Sequence, residues 1–181
     1  TYNMPVALRF DGALDRQRLE TALAALIGRH DALRTTFHLE REEPVQRIGE
    51  APAKVGYQAT EEPVETLLER FVRPFNLEEA PLLRLEAVER PEGKSLLLWD
   101  MHHIISDGVS MDILLADFAA LYRGEALEHL PIGYADYSLW LAERDLSTQK
   151  DYWLSRFEDE TPVLDLPLDF ARPGRQSFAG D

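Results

Sequence analysis

The sequence contains no cysteine. That removes thiolate nucleophiles, disulfide scaffolding and cysteine-based zinc sites, and a cytoplasmic setting becomes the default expectation. Positive charge is scarce: 19 Lys and Arg stand against 33 Asp and Glu, for a formal net charge of −14. So acidic a surface repels phosphate backbones and anionic lipid, so nucleic-acid and membrane-surface partners rank last. Long apolar runs are missing too. Stretches such as Leu96 to Trp99 fall far short of the roughly 20 residues a spanning helix needs, and no basic-then-apolar leader opens the chain. What is present is 181 residues that are 45% hydrophobic, enough for one domain with a real core and too little for two large ones. The opening on Thr1 in mid-pattern predicts a piece of a longer polypeptide.

The periodicities alternate between the two regular structures. Ala7 to Phe10 predict a strand, Asp11-Gly12 a turn, and Asp15 the N-cap of a helix whose apolar face is Leu19, Ala22, Leu23, Leu26 and Ile27. Leu33 to Leu39 alternate and pair back as a hairpin with Val45 to Ile48 across Glu40 to Glu43. A strand near Val55 to Ala59 precedes a second amphipathic helix carrying Val64, Leu67, Leu68 and Phe71, opened by Pro63 and stopped by Pro74. Leu82 to Val88 and Ser95 to Met101 flank Pro91-Glu92-Gly93-Lys94 as the clearest strand pair. A helix then places Leu114, Leu115, Phe118, Leu121 and Tyr122 inward and stops at Gly124. Asp136 to about Phe157 is helical with a break near Ser147, and residues 161–181, rich in proline from Pro162 on, predict an extended connector. The fold class is α/β: a mixed sheet packed with helices, spanning residues 1–160.

Chemistry is concentrated in His102-His103-Ile104-Ile105-Ser106-Asp107-Gly108, where a strand feeds a helix. Strand alternation puts His102 on the face of Asp100 and Leu98, and His103 with Met101 and Trp99. Two histidines pointing apart do not share one metal ion, and with no cysteine and no helical His pair nearby no metal site is expected. An N-capping Asp107 or Ser106, a turn Gly108 and histidines bonded to backbone would give the same pattern, so spacing alone leaves both readings open. Ser106 and Ser110 have no base placed to activate them. His30 continues the stripe of Leu23 and Ile27, as a satisfied core histidine would. Tyr134, Tyr137 and Trp140 recur every three residues and read as core packing.

Four segments together resemble one family. His102 to Gly108, extended by Met101 and Ser110, looks like the HHxxxDG motif of nonribosomal peptide synthetase condensation domains, antibiotic-producing acyltransferases of the chloramphenicol-acetyltransferase-like superfamily. Arg29 to Phe37 resembles the family's RHExLRTxF segment, with Asp31 where Glu is usual. Tyr134 to Trp140 resembles its YxDYAxW segment, with Ser138 for Ala. Asp151-Tyr152-Trp153 through Leu166-Pro167 to Arg172-Pro173 and Ser177 resembles the stretch before the crossover into the second lobe. The resemblance implies the N-terminal lobe of a two-lobed fold, with the C-terminal lobe beyond Asp181.

By that resemblance, His103 is the catalytic candidate, with His102, Asp107 and Gly108 supporting it. Asp107 is implied to be structural, paired with Arg29 or, second, Arg34. No cofactor is bound directly. The substrates ride on phosphopantetheine arms of donor and acceptor peptidyl carrier proteins, which with adjacent synthetase domains are the implied partners. The implied reaction is attack of an acceptor amine on a donor thioester to make a peptide bond, and a lone lobe is expected to be inactive. An epimerisation-domain lobe shares the motif, and a non-catalytic carrier-docking lobe is the third reading. A heterocyclisation domain is disfavoured because that branch replaces the two histidines. The positive end of the helix beginning near Asp107 is expected to favour a neutral His103 ring.

Overall fold

The structure, a computed structural model, describes residues 2–159, 161, 163, 166–171 and 173–175. Its elements are β1 (Asn3–Phe10), α1 (Arg16–Arg29), β2 (Thr35–Glu40), β3 (Glu43–Ile48), β4 (Val55–Ala59), α2 (Val64–Phe71), β5 (Leu83–Glu89), β6 (Ser95–His102), α3 (Gly108–Arg123), α4 (Tyr134–Glu143) and α5 (Ser147–Arg156). The chain forms two compact units, Tyr2–Tyr137 and one beginning at Ser138.

In the first unit a mixed sheet runs in the order β1-β6-β5-β4, antiparallel except for the parallel β4–β5 pair, whose crossover carries α2. The β2–β3 hairpin makes a separate two-stranded sheet. Ser95 to Met101 of β6 are all buried, because helices cover both faces of the strand. Leu97, Trp99 and Met101 pack into the cluster that holds Leu19, Leu23, Leu26 and Ile27 of α1 and Leu114 and Phe118 of α3. Leu96 and Leu98 face the other way, onto Leu67 and Phe71 of α2. The predicted inward residues of α1 are thus all core, and Asp15 caps that helix by accepting from the Arg18 amide at 2.9 Å.

Differences from the sequence reading have local causes. β1 starts at Asn3 rather than Ala7, since its whole length pairs with β6, from Asn3 opposite His102 to Phe10 opposite Ser95. Leu33 and Arg34 belong to a 3-10 turn, Asp31–Arg34, instead of β2; the Thr35 hydroxyl donates to the Asp31 carbonyl across it. Gly124 does end α3, at φ 80, where a left-handed residue costs glycine little. The long helical stretch breaks into α4 and α5 just before Ser147. Tyr134, Tyr137 and Trp140 are exposed rather than core, at 58%, 44% and 53%. A three-residue repeat shows which face of a helix seeks cover, not whether cover is at hand. Of the tail motif, Pro162, Arg172 and Ser177 lie outside the described residues.

Trp99 is fully buried and meets Phe118 edge-on at 5.4 Å between ring centroids. Trp99→Ala should therefore cost about 3–5 kcal/mol of stability, whereas Leu39→Ala, on an exposed hairpin position, should stay within about 0.5 kcal/mol. Urea unfolding of the two variants checks the contrast.

Candidate active site

β6 delivers the two histidines to the sheet edge and then stops. The His102 amide bonds the Leu82 carbonyl at 3.0 Å and the His103 amide bonds the Tyr2 carbonyl at 2.8 Å, so the neighbouring strands fix both residues. A 3-10 turn, His103–Ile105, follows, with Ile105 buried as its anchor. His102 closes this turn itself: its Nδ1 accepts from the Ile104 amide at 3.0 Å. The bond needs Nδ1 unprotonated. Burial, aided by nearby His103 and opposed by Asp100, likewise pushes the His102 pKa below the usual imidazole value. Strand alternation holds as far as His102, which shares its face with the buried Asp100. His103 has left the strand and is exposed, with no hydrogen-bonding partner for its ring among the described residues.

Asp107 is the N-cap of α3. Its Oδ1 accepts from the Ser110 amide at 2.8 Å and the Ser110 hydroxyl at 2.7 Å, which holds its carboxyl below the usual carboxylate range. The expected ion pair with Arg29 or Arg34 is not formed. Arg29 donates from Nε to Asp117 at 2.9 Å and from Nη1 to the Glu128 carbonyl at 2.5 Å. Arg34 pairs with Asp31 and bonds the Gly49 carbonyl. Both arginines have nearer carboxylates than Asp107, and Asp107 is committed to the helix end. Its charge also offsets the positive helix terminus that was expected to act on His103. Gly108 is the first residue of α3, not a turn glycine, and an added Cβ there would meet open space.

Asp117 gathers two motif residues at once, since its Oδ2 also lies 2.8 Å from His30 Nε2. His30 is accordingly a satisfied, half-buried histidine. Beside these groups lies a cavity of about 560 Å³, with His103, Ile104, Ile113, Leu130, Ile132 and Tyr134 in its lining. Its far wall is tied down by Arg29 on the Glu128 carbonyl and by the Gly133 amide, which donates to Asp136 Oδ2 at 2.8 Å; a Cβ at Gly133 would press on the Asp31 carboxylate. Ser106 is buried with its hydroxyl 3.5 Å from the Met4 sulfur, not against a base. No cluster able to hold a metal ion occurs among the described residues, and no described helix is long and apolar enough to cross a membrane.

A mixed sheet whose inner strand ends in a histidine pair, with a capped helix behind it, defines an α/β protein with its candidate site at a strand end. The family model of the Condensation domain matches residues 1–181, and the chain belongs to that family. It is 48% identical to tyrocidine synthase 3 of Brevibacillus parabrevis over 186 residues, covering 99% of this chain and 3% of that protein. With gramicidin S synthase 2 of Brevibacillus brevis the figures are 45%, 99% and 4%. The crystal structure of the X-domain from teicoplanin biosynthesis superposes with a TM-score of 0.78 at 31% identity, covering 95% of this chain and 42% of that one. The epimerization domain from the third module of tyrocidine synthetase B shares the fold, at TM-score 0.78 and 22% identity over 94% of this chain. The chain thus spans a small part of these synthetases and under half of these solved domains.

Asparagine caps a helix about as well as aspartate, and alanine does not. Asp107→Asn should therefore melt close to the parent and Asp107→Ala clearly below both, as thermal unfolding will show. For His102 the shift works through the unfolded chain. Below the free-imidazole value of 6.5 the unfolded ring takes up a proton that the folded ring resists, so stability falls as the pH falls. The loss from about pH 7 to about pH 5 should be smaller in His102→Gln than in the parent when both are unfolded in urea.

Proposed function

We propose that this chain is the N-terminal lobe of a condensation domain that joins a carrier-bound donor acyl thioester to a carrier-bound acceptor amine, with His103 as its catalytic residue. The observation that carries the reading is the presentation of His103, exposed at the rim of an apolar cavity, while His30, Arg29, Arg34 and Asp107 are each engaged elsewhere.

The acceptor nitrogen attacks the thioester carbonyl, forming the C–N bond and a zwitterionic tetrahedral intermediate. One ammonium proton passes to the base, the pantetheine thiolate is expelled, and that proton is returned to the sulfur, leaving an amide and a free thiol. An α-amine with a pKa of about 7.7–8.0 is already partly unprotonated near neutrality, so the first deprotonation is a small task. His103 earns its place later, by orienting the amine and taking the proton from the intermediate. General-base help is typically worth about 10²- to 10⁴-fold, and positioning can contribute more. The donor and acceptor carrier proteins, adjacent synthetase domains and a C-terminal lobe are the partners of this reading, with residues 161–181 as the connector to that lobe and the cytoplasm as its setting. The epimerization domain noted above uses the same fold for another chemistry, so the assay must separate the two.

In the complete two-lobed domain with loaded carriers, His103→Ala should lower dipeptide formation about 10²-fold or more while carrier binding persists. Residues 1–181 alone should form no product, because half the substrate channel is absent. Parental dipeptide yield from His103→Ala, or exchange of the α-hydrogen without dipeptide, would overturn the assignment.

A further inference from the structure

Asp100 is the one carboxylate buried completely in the central strand, and neither the HHxxxDG motif nor the reaction accounts for it. A charge there is expensive unless it is paired, and breaking such a pair strands the other member. Its Oδ2 accepts from Asn3 Nδ2 at 2.8 Å and from Arg84 Nη1 at 3.0 Å, while its buried Oδ1 has no hydrogen-bond partner among the described residues. Both donors lead to the histidine turn.

On one side, Arg84 is held in a fixed pose. It donates to the Arg73 carbonyl at 2.6 Å and the Pro74 carbonyl at 3.2 Å, and its guanidinium lies 3.6 Å over the Phe75 ring. Phe75 in turn meets the His102 ring edge-on, 6.1 Å between centroids. His102 then accepts from the Ile104 amide and closes the turn. On the other side, Asn3 bonds both Asp100 and the Arg73 carbonyl at 3.0 Å, which fixes the start of β1. The residue before it, Tyr2, receives the His103 amide on its carbonyl and packs its ring against His102 at 6.0 Å. One carboxylate oxygen is therefore the common point of two routes, each ending on a backbone N–H of the 3-10 turn that presents His103.

We propose that Asp100, with Arg84 and Asn3, is the positioning device of the active site: the buried ion pair fixes Phe75 and the β1 terminus, and these set the His102–Ile104 turn and hence the aim of His103. The inference rests on the reading of His103 as the residue that orients the amine and takes its proton. It gives Asp100 no contact with substrate. Its loss should act on the chemical step and not on the capture of loaded carriers, because misplacement of a reacting group by about 1 Å can cost about 10²-fold in rate.

The test is made in the complete condensation domain with loaded carrier proteins, comparing Asp100→Asn, Asn3→Ala and His103→Ala with the parent. Asp100→Asn should lower kcat about 10- to 100-fold with KM within about twofold, and Asn3→Ala, which leaves the ion pair intact, should show the same split at smaller size. A folded Asp100→Asn protein whose kcat stays within about twofold of the parent, or whose kcat loss merely follows its lost folded fraction, overturns the proposal. Should Asp100→Asn fail to fold, Asn3→Ala decides: parental kcat there overturns it. Nitrogen NMR of the histidine rings gives a readout apart from turnover, with an unprotonated His102 Nδ1 in the parent and altered His102 and His103 signals in Asp100→Asn. If His103→Ala keeps parental kcat, the catalytic reading fails, and unchanged ring signals in Asp100→Asn would then sink the positioning network separately.

Discussion

β6 is buried on both faces from Ser95 to Met101, and the rest of the first unit is arranged around that burial. α1 and α3 cover the side of Leu97, Trp99 and Met101, while α2 covers the side of Leu96 and Leu98. A slip of one residue would drive Asp100 among the leucines of α1 and turn Trp99 toward α2, so the register is strongly specified. That register also aims the strand's end. Because β1 and β5 pair with β6 as far as His102 and Met101, the point where the chain leaves the sheet is fixed by backbone bonds before any histidine side chain is considered.

The charges around the site follow one pattern: each has a partner close by. Asp117 takes Arg29 and His30, Asp31 takes Arg34, Asp100 takes Arg84, and Asp107 takes the first turn of α3. In an acidic chain with few cations this arrangement uses up the basic groups near the cavity, while the His103 ring faces it without a hydrogen bond among the described residues. Burial raises the Asp100 carboxyl pKa against the pull of Asn3 and Arg84, and lowers the Arg84 pKa. Keeping the pair is therefore costly, and removing either partner would strand the other charge in the interior.

The apolar face of α1, the β5–β6 pairing and the end of α3 at Gly124 were legible in the sequence, because each depends on residues close together along the chain. The histidine motif was legible as well, down to the shared face of His102 and Asp100. The partner of Asp107 was not. Spacing places Asp107 at a helix start, but whether an arginine from α1 reaches it depends on which other carboxylates lie closer, and Asp117 lies ten residues on, inside the apolar run from Ile113 to Leu121. A lone charge in an apolar run is the signal that marks Asp117, and equally Asp100 within Leu96 to Met101. Arg84, Asn3 and Phe75 carried no such mark, since the strands and loop that gather them are far apart in the chain. The tyrosines of α4 show the opposite limit: a regular stripe was visible, and its exposure was not.

Why adjacent histidines should differ so much in duty follows from geometry. A strand residue can be locked from both flanks, as His102 is by two aromatic rings and a turn amide, but a locked ring with Nδ1 occupied has little freedom to receive a proton from a substrate. The next residue escapes the pleat only if the turn after it is closed, and the locked ring is what closes it. The helix end behind the turn is capped by Asp107, whose negative charge opposes the positive terminus. What remains for His103 is placement: a ring held in space by its neighbour's bond, at the edge of an apolar cavity, where orientation of an already basic amine is the larger share of the work.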